Sequence, residues 1–250
     1  MESQTISLNV HPQILDLYEV LEKNGLHKQK EDVQSLVGYV ESMEYNLSVM
    51  MNEIQEMHAE VKRLHDRGIR NQCGKIISKA EDKIHQAKTM VSVIKVRLID
   101  AAGNAVKTCK EKGKSALIRA VEAMRVSTAL SKIKSGFSHA AQSMRQYAGQ
   151  IDVIRKELHE VGGHMKNAGR TLAGKEALEA QELEADKGAL ARLRGLFASC
   201  GKTFAQMERG AGRLAEKADG EKSSVKTELH GLKSAQAGQR RKAAGKEQAR

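Results

Sequence analysis

The sequence predicts an all-α fold, an elongated long-helix coiled coil or helical bundle, and three observations carry that expectation. The only proline is Pro12, so 238 consecutive residues lack the strongest helix breaker. No run of alternating β-branched and aromatic residues bounded by turn signals reads as a strand. An unbroken heptad runs from Val33 to Leu64. The core must also be thin. Aromatics are 3% of the chain, with no Trp, three Phe and four Tyr, so Ala, Val, Ile, Leu and Met supply the bulk.

The first helix is expected to begin near Pro12, with Asn9 as a cap just upstream. Ile14, Leu17, Tyr18 and Leu21 share one face. Asn24-Gly25 gives a stop, because glycine takes the left-handed conformation at little cost. Glu31 and Asp32 are placed in the first turn of the next helix, where acids favour the positive end of the dipole.

That next helix holds the strongest pattern. With Val33 as a, the a positions are Val33, Val40, Leu47, Ile54 and Val61. The d positions are Leu36, Met43, Met50, Met57 and Leu64. All are apolar, and a 3.5-residue repeat keeps such a seam facing a partner helix in a left-handed supercoil. Val37 and Met51 at e and Tyr39 at g widen the face towards that of a bundle helix. In a parallel dimer Glu53 would face His58, and Glu60 would face His65. The helix is expected to stop near Gly68.

From Ile69 the stripe continues with smaller residues: Cys73, Ile77, Ala80, Ile84, Ala87, Val91, Ile94, Leu98 and Ala101. It resumes through Ala116, Ala120, Ala123, Ser127, Leu130, Phe137, Met144, Ile151, Ile154, Leu158 and Val161. Gly103-Asn104 and Gly162-Gly163 are the expected turns. After Gly174, Leu178, Leu190, Leu193, Leu196 and Phe197 suggest one more helix, and Phe204, Met207 and Leu214 a weak further one. The chain thus divides into an acidic hairpin (10–68), basic Ala/Lys-rich helices (69–172), a weak helical extension (173–218) and a flexible, polar, basic C-terminal tail (219–250).

Charge is unevenly spread. Residues 1–68 carry a net −6, residues 69–172 a net +12 and residues 173–250 a net +5. A basic middle can attract nucleic acid, an anionic membrane or the acidic first segment itself. Lys75, Lys79 and Lys83, then Lys107, Lys110 and Lys114, recur at helical spacing and offer a phosphate-tracking face. No aromatic residue lies between Arg70 and Phe137, so base stacking has no platform there.

Catalytic and metal chemistry find no footing. Cys73, Cys109 and Cys200 fit no close-spaced metal or redox motif, and suggest free thiols in a reducing cytoplasm. The glycine spacing of Gly169 to Glu176 imitates a P-loop, but Glu176 replaces the magnesium-binding Ser/Thr. Gly195 to Thr203 has one residue too many. His159 and His164 are five apart, where a helical zinc site needs four. No enzyme activity, cofactor or metal is expected. Neither a signal peptide nor a stretch of roughly 20 apolar residues is seen, so the chain reads as soluble and cytoplasmic.

Three stretches carry a resemblance: Leu21 to Leu26 (LEKNGL), Val33 to Glu44 (VQSLVGYVESME) and Gly162 to Leu172 (GGHMKNAGRTL). Over roughly residues 10–172 the chain resembles an uncharacterised family of helical proteins carried on bacterial conjugative and other mobile elements, with the C-terminal region as an extension. The resemblance implies a bacterial cytoplasmic protein with an accessory role on mobile DNA, and it transfers no functional residue. The leading expectation is a helical scaffold or adaptor that self-associates, or binds another helical protein, through the Val33–Leu64 seam. A nucleic-acid accessory protein using the lysine face is the alternative, and peripheral membrane binding a weaker third.

Overall fold

A computed structural model describes residues 7–122, 126–178 and 188–216. Among them every regular element is a helix. A short 3₁₀ turn (Leu8–Val10) precedes α1 (Pro12–Lys23), α2 (His27–Val61), α3 (Arg67–Lys112), α4 (Lys114–Glu122) and α5 (Val126–Leu172). A last helix, α6, spans 189–216. The tail expected over 219–250 lies outside the described residues.

Local chemistry explains the boundaries. Pro12 opens α1, where its missing N–H costs nothing. Gly25, at φ +66°, closes it: the Gly25 and Leu26 amides donate back to the Glu22 and Leu21 carbonyls, both at 2.9 Å. Asn9 is not the cap. It sits in the 3₁₀ turn, and its amide donates to Glu41 of α2 at 3.1 Å. Helix α2 starts earlier than the acids at Glu31 and Asp32 indicate, at His27, and ends at Val61. Gly68 is therefore inside α3, whose N-cap Asp66 accepts from the Ile69 amide at 2.9 Å.

Two expected turns are absent. Helix α3 runs straight through Gly103-Asn104, because a Cβ at Gly103 would come within 3.1 Å of the Gln13 side chain. That glycine serves the close approach of α1, and the break falls at Gly113, at φ +75°. Helix α5 likewise runs through Gly162-Gly163 to Leu172. Of the two segments expected after Gly174, the described residues 189–216 form one helix, α6, and Leu178 lies outside it.

Helices α2, α3, α5 and α6 close a four-membered ring, each antiparallel to the two it touches. Lys95 of α3 donates to Glu44 of α2 at 2.8 Å, and His58 meets Glu81 at 3.0 Å, which fixes the first pair head to tail. Helix α5 packs on α3. Phe137 stacks against Phe204 at 5.8 Å and Tyr147 against Phe197 at 5.9 Å, setting α5 against α6. All three phenylalanines are fully buried at this one interface. A Cβ on Gly201 would lie 3.4 Å from the Ala141 carbonyl, so the α5 and α6 backbones come close there. The Tyr39 hydroxyl of α2 donates to the Met207 carbonyl of α6 and closes the ring. Helix α1 lies on α3 at one end, and α4 folds back beside α3.

One continuous core results, drawn from residues of the acidic hairpin, the basic helices and the C-terminal extension alike. An Ala-rich helix buries little area by itself, and this arrangement surrounds it with larger neighbours. Ala80, Ala87, Ala102 and Ala105 of α3 are buried where α1, α2 and α5 crowd it. Short side chains there let the longer Leu, Met and Phe of the neighbours fill the layer.

Candidate interaction surface

The Val33–Leu64 seam lies inside the chain. Val33, Leu36, Val40, Met43, Leu47, Met50, Ile54, Met57 and Val61 are all buried, and Leu64, just past the end of α2, is half-buried against the same core. The flanking positions explain why. Val37 at e is fully buried and Tyr39 at g reaches α6, so the broad face meets two neighbours at once. His58 meets Glu81 of α3, and Glu60 meets Arg192 of α6. Neither is turned towards a second copy. A partner would reach this seam only by opening the bundle.

The six lysines of the basic face separate into two groups. Lys75 and Lys79 are exposed and Lys83 half-buried near the start of α3. Lys107, Lys110 and Lys114 are exposed near its end. At about 1.5 Å per residue, Lys79 and Lys110 stand roughly 46 Å apart along the helix. Between them Lys95 is buried and paired with Glu44. Beside the first group lies a groove lined by His58, Val61, Lys62, Arg70, Asn71, Gly74 and Lys75.

Burial governs the thiols and the Tyr39 phenol. Burial pushes the Cys200 thiol up to about 12 and raises that of Cys73, so neither is a ready thiolate at neutral pH. Burial also carries the Tyr39 phenol to about 12. Among the described residues no three His, Cys, Asp or Glu side chains are placed to share a metal ion. None of the described helices is long and apolar enough to cross a membrane.

A sequence profile described as a family of unknown function, DUF6674, matches residues 10–250. The chain belongs to that family. The match takes in the C-terminal region as well as the stretches over 10–172 that carry the resemblance. No solved structure and no curated protein matches the chain. For this DUF6674 member the candidate surface therefore rests on its own geometry.

That geometry singles out the end of α5. Its buried face is a heptad that the stripe read from the sequence only half reveals: Leu130, Ile133, Phe137, Ala140, Met144, Tyr147, Ile151 and Ile154 alternate at steps of three and four, all inside the core. The same phase continues through Leu158, Val161, Met165, Ala168 and Leu172. Exposure climbs along it, from 0% at Ile151 and 8% at Ile154 to 38% at Leu158, 55% at Val161, 73% at Met165 and 90% at Leu172. Helix α2 has ended at Val61, and α6 begins only at 189, level with this point through the Arg194–Asp152 pair at 2.8 Å. Residues 156–172 thus continue α5 for about 25 Å as an arm whose apolar stripe is exposed. Glu176 and Leu178 lie against a different side. Asn167 exchanges two hydrogen bonds with the Leu178 backbone, at 3.0 and 2.9 Å, and Arg170 donates to the Glu176 carbonyl at 2.8 Å.

Glycine placement on the arm is also unexplained by the chain itself. Gly162, Gly163 and Gly169 are helical, and a Cβ on any of them would meet nothing within 4 Å. Each costs about 1 kcal/mol of helix stability relative to Ala, with no crowded neighbour to require it.

Proposed function

We infer that the chain is a non-enzymatic helical scaffold whose four-helix bundle holds out the α5 arm as its binding element. The reading keeps the adaptor role expected from the heptads and moves it from the α2 seam, which the bundle already fills, to the arm. The observation that carries it is the apolar ridge Leu158, Val161, Met165 and Leu172, which continues a core-forming heptad beyond the core. Exposed apolar faces of this kind, laid out at i, i+3, i+4 and i+7, fit a partner helix.

A generic probe tests it. A labelled amphipathic peptide with Leu at every a and d position should bind the intact protein saturably, and Val161→Asp with Met165→Asp should abolish that binding without lowering the unfolding temperature. Equal binding by the variant, or none by the parent, contradicts the reading.

A second reading has one observation in its favour. Lys62, Arg70 and Lys75 line the groove at the α2–α3 turn, with Lys79 exposed one turn beyond. Contact with a nucleic-acid backbone at this end would suit the mobile-element setting that the resemblance implies. Its signature is an affinity whose logarithm falls linearly with the logarithm of salt concentration. Absence of a gel shift at low salt removes it.

A further inference from the structure

We propose that the groove at the α2–α3 turn is a site for a compact polyphosphate, two linked phosphates carried by a small molecule or by the end of a chain. The proposal is independent of the arm and shares only its cations with the nucleic-acid reading. From residue 62 to residue 75 the sequence holds Lys62, Arg63, Arg67, Arg70 and Lys75, with Asp66 as the one acid. Asp66 is engaged as the N-cap of α3. The turn folds this stretch back on itself, so that Lys62 from the end of α2 meets Arg70, Asn71 and Lys75 from the start of α3 around a groove of about 380 Å³. No carboxylate lines it. Among the described residues, none of these three cations belongs to an ion pair. Arg70 is half-buried, while Lys62 and Lys75 are exposed.

The donors differ in kind. The planar fork of Arg70 suits bidentate contact with a phosphate, the two lysines add point charge, and the Asn71 amide adds a neutral donor. His58 also lines the groove, and its Nδ1 lies 3.0 Å from the Glu81 carboxylate, which leaves Nε2 as the ring's remaining polar atom. Gly74 completes the wall. It lies inside α3, where glycine weakens a helix relative to alanine, and a Cβ there would meet nothing within 4 Å. Its missing side chain leaves room beside Arg70 and Lys75.

Charge and extent choose the ligand. A terminal phosphate carries about −1.5 to −2 near neutral pH, so three cations suit two linked phosphates better than one. A long backbone needs the line of cations to continue, but α3 breaks it at Lys95, which is buried against Glu44. Glu60, which pairs with Arg192 near the start of α6, is two residues from both His58 and Lys62, roughly half a turn round α2. Helix α6 therefore enters on the far side of α2 from the groove.

Isothermal titration of the full-length chain with pyrophosphate at low salt tests the site. The expected result is saturable binding, weakened about tenfold or more by Arg70→Ala with Lys75→Ala at unchanged helicity. Gly74→Leu should weaken it comparably, because it fills the groove and leaves every charge in place. Lys107→Ala with Lys110→Ala removes the same charge from the far end of α3 and should leave binding unchanged. An equal loss in that variant, or no loss in Gly74→Leu, overturns the groove as the site. Displacement of pyrophosphate by adenosine diphosphate, ahead of an oligonucleotide with a terminal diphosphate, supports a free small molecule; the reverse order supports a chain end. Displacement by neither overturns the proposal. A DNA duplex with hydroxyl ends offers phosphate only as a backbone. If the duplex binds through Arg70 and Lys75 while pyrophosphate does not bind, the compact ligand is overturned and the backbone reading stands. If neither binds, both are overturned.

Discussion

The two halves of α5 carry the same sequence pattern and meet opposite fates. From Leu130 to Ile154 the heptad is buried against α3 and α6; from Leu158 to Leu172 it stands in solvent. Nothing in the spacing changes between them. What changes is the length of the neighbours. Periodicity therefore specifies that a stripe will be covered, and the lengths of the other helices decide by whom. The α2 seam makes the same point from the other side, since an equally regular heptad there is satisfied entirely within the chain.

Substitutions in the two regions should separate cleanly, and the largest effect belongs to the core. Leu47→Asp with Ile54→Asp places two carboxylates where both side chains are fully buried. Unpaired buried charges cost several kcal/mol each, so cooperative thermal unfolding should vanish by circular dichroism. A folded variant whose only change is its oligomeric mass would show instead that the α2 seam is intermolecular. Next, Phe204→Ala empties the centre of the α5–α6 interface and should cost about 3–5 kcal/mol in urea unfolding. An effect below about 1 kcal/mol would mean that α6 is not a core helix. Glu44→Gln leaves the buried Lys95 ammonium without its counter-charge, with an expected loss of about 2 kcal/mol. Smallest in the bundle is Tyr39→Phe, about 1 kcal/mol for the lost bond to the Met207 carbonyl. On the arm, Gly163→Ala should raise local protection in hydrogen exchange by about 1 kcal/mol and leave global unfolding unchanged.

Alkaline titration distinguishes buried groups from the arm in another way. Cys200 and Tyr39 keep their protons in the folded chain up to about 12, whereas their ordinary values are 9.0 and 10.0. Between those limits the folded state binds more protons than the unfolded one, so stability should be level below about pH 9 and fall as pH rises towards 12. In the Tyr39→Phe protein the fall should be shallower. Native thiol titration at neutral pH should find Cys109, the half-buried cysteine, before Cys73 or Cys200.

Much of the fold was legible because helices announce themselves by period. The α2 seam, the face of α1 and the α3 stripe from Cys73 to Leu98 are all readable from spacing, and the structure buries them. Helix α6 was harder. Its register runs Leu190, Leu193, Phe197, Cys200, Phe204, Met207, Ala211 and Leu214, but Cys200 and Ala211 are too small to mark it by hydrophobicity alone. The false turns at Gly103 and Gly162-Gly163 arose because glycine signals both a turn and a close approach. Only the position of Gln13 tells which applies at Gly103. The arm was not legible at all as a separate surface. Leu158 and Val161 read as ordinary continuation of the stripe, since exposure depends on where α2 ends and α6 begins.

Hydrogen exchange followed along α5 and α2, at two protein concentrations and with the heptad peptide added, tests the central claim in one measurement. Amides of residues 130–154 of α5 and 33–61 of α2 should be strongly protected, and equally so at low and high concentration. Those of 158–172 should exchange fast in the free chain and slow once the heptad peptide is bound. Protection of 158–172 that already matches the core in dilute solution would contradict the account, as would protection of the α2 seam that appears only on concentration.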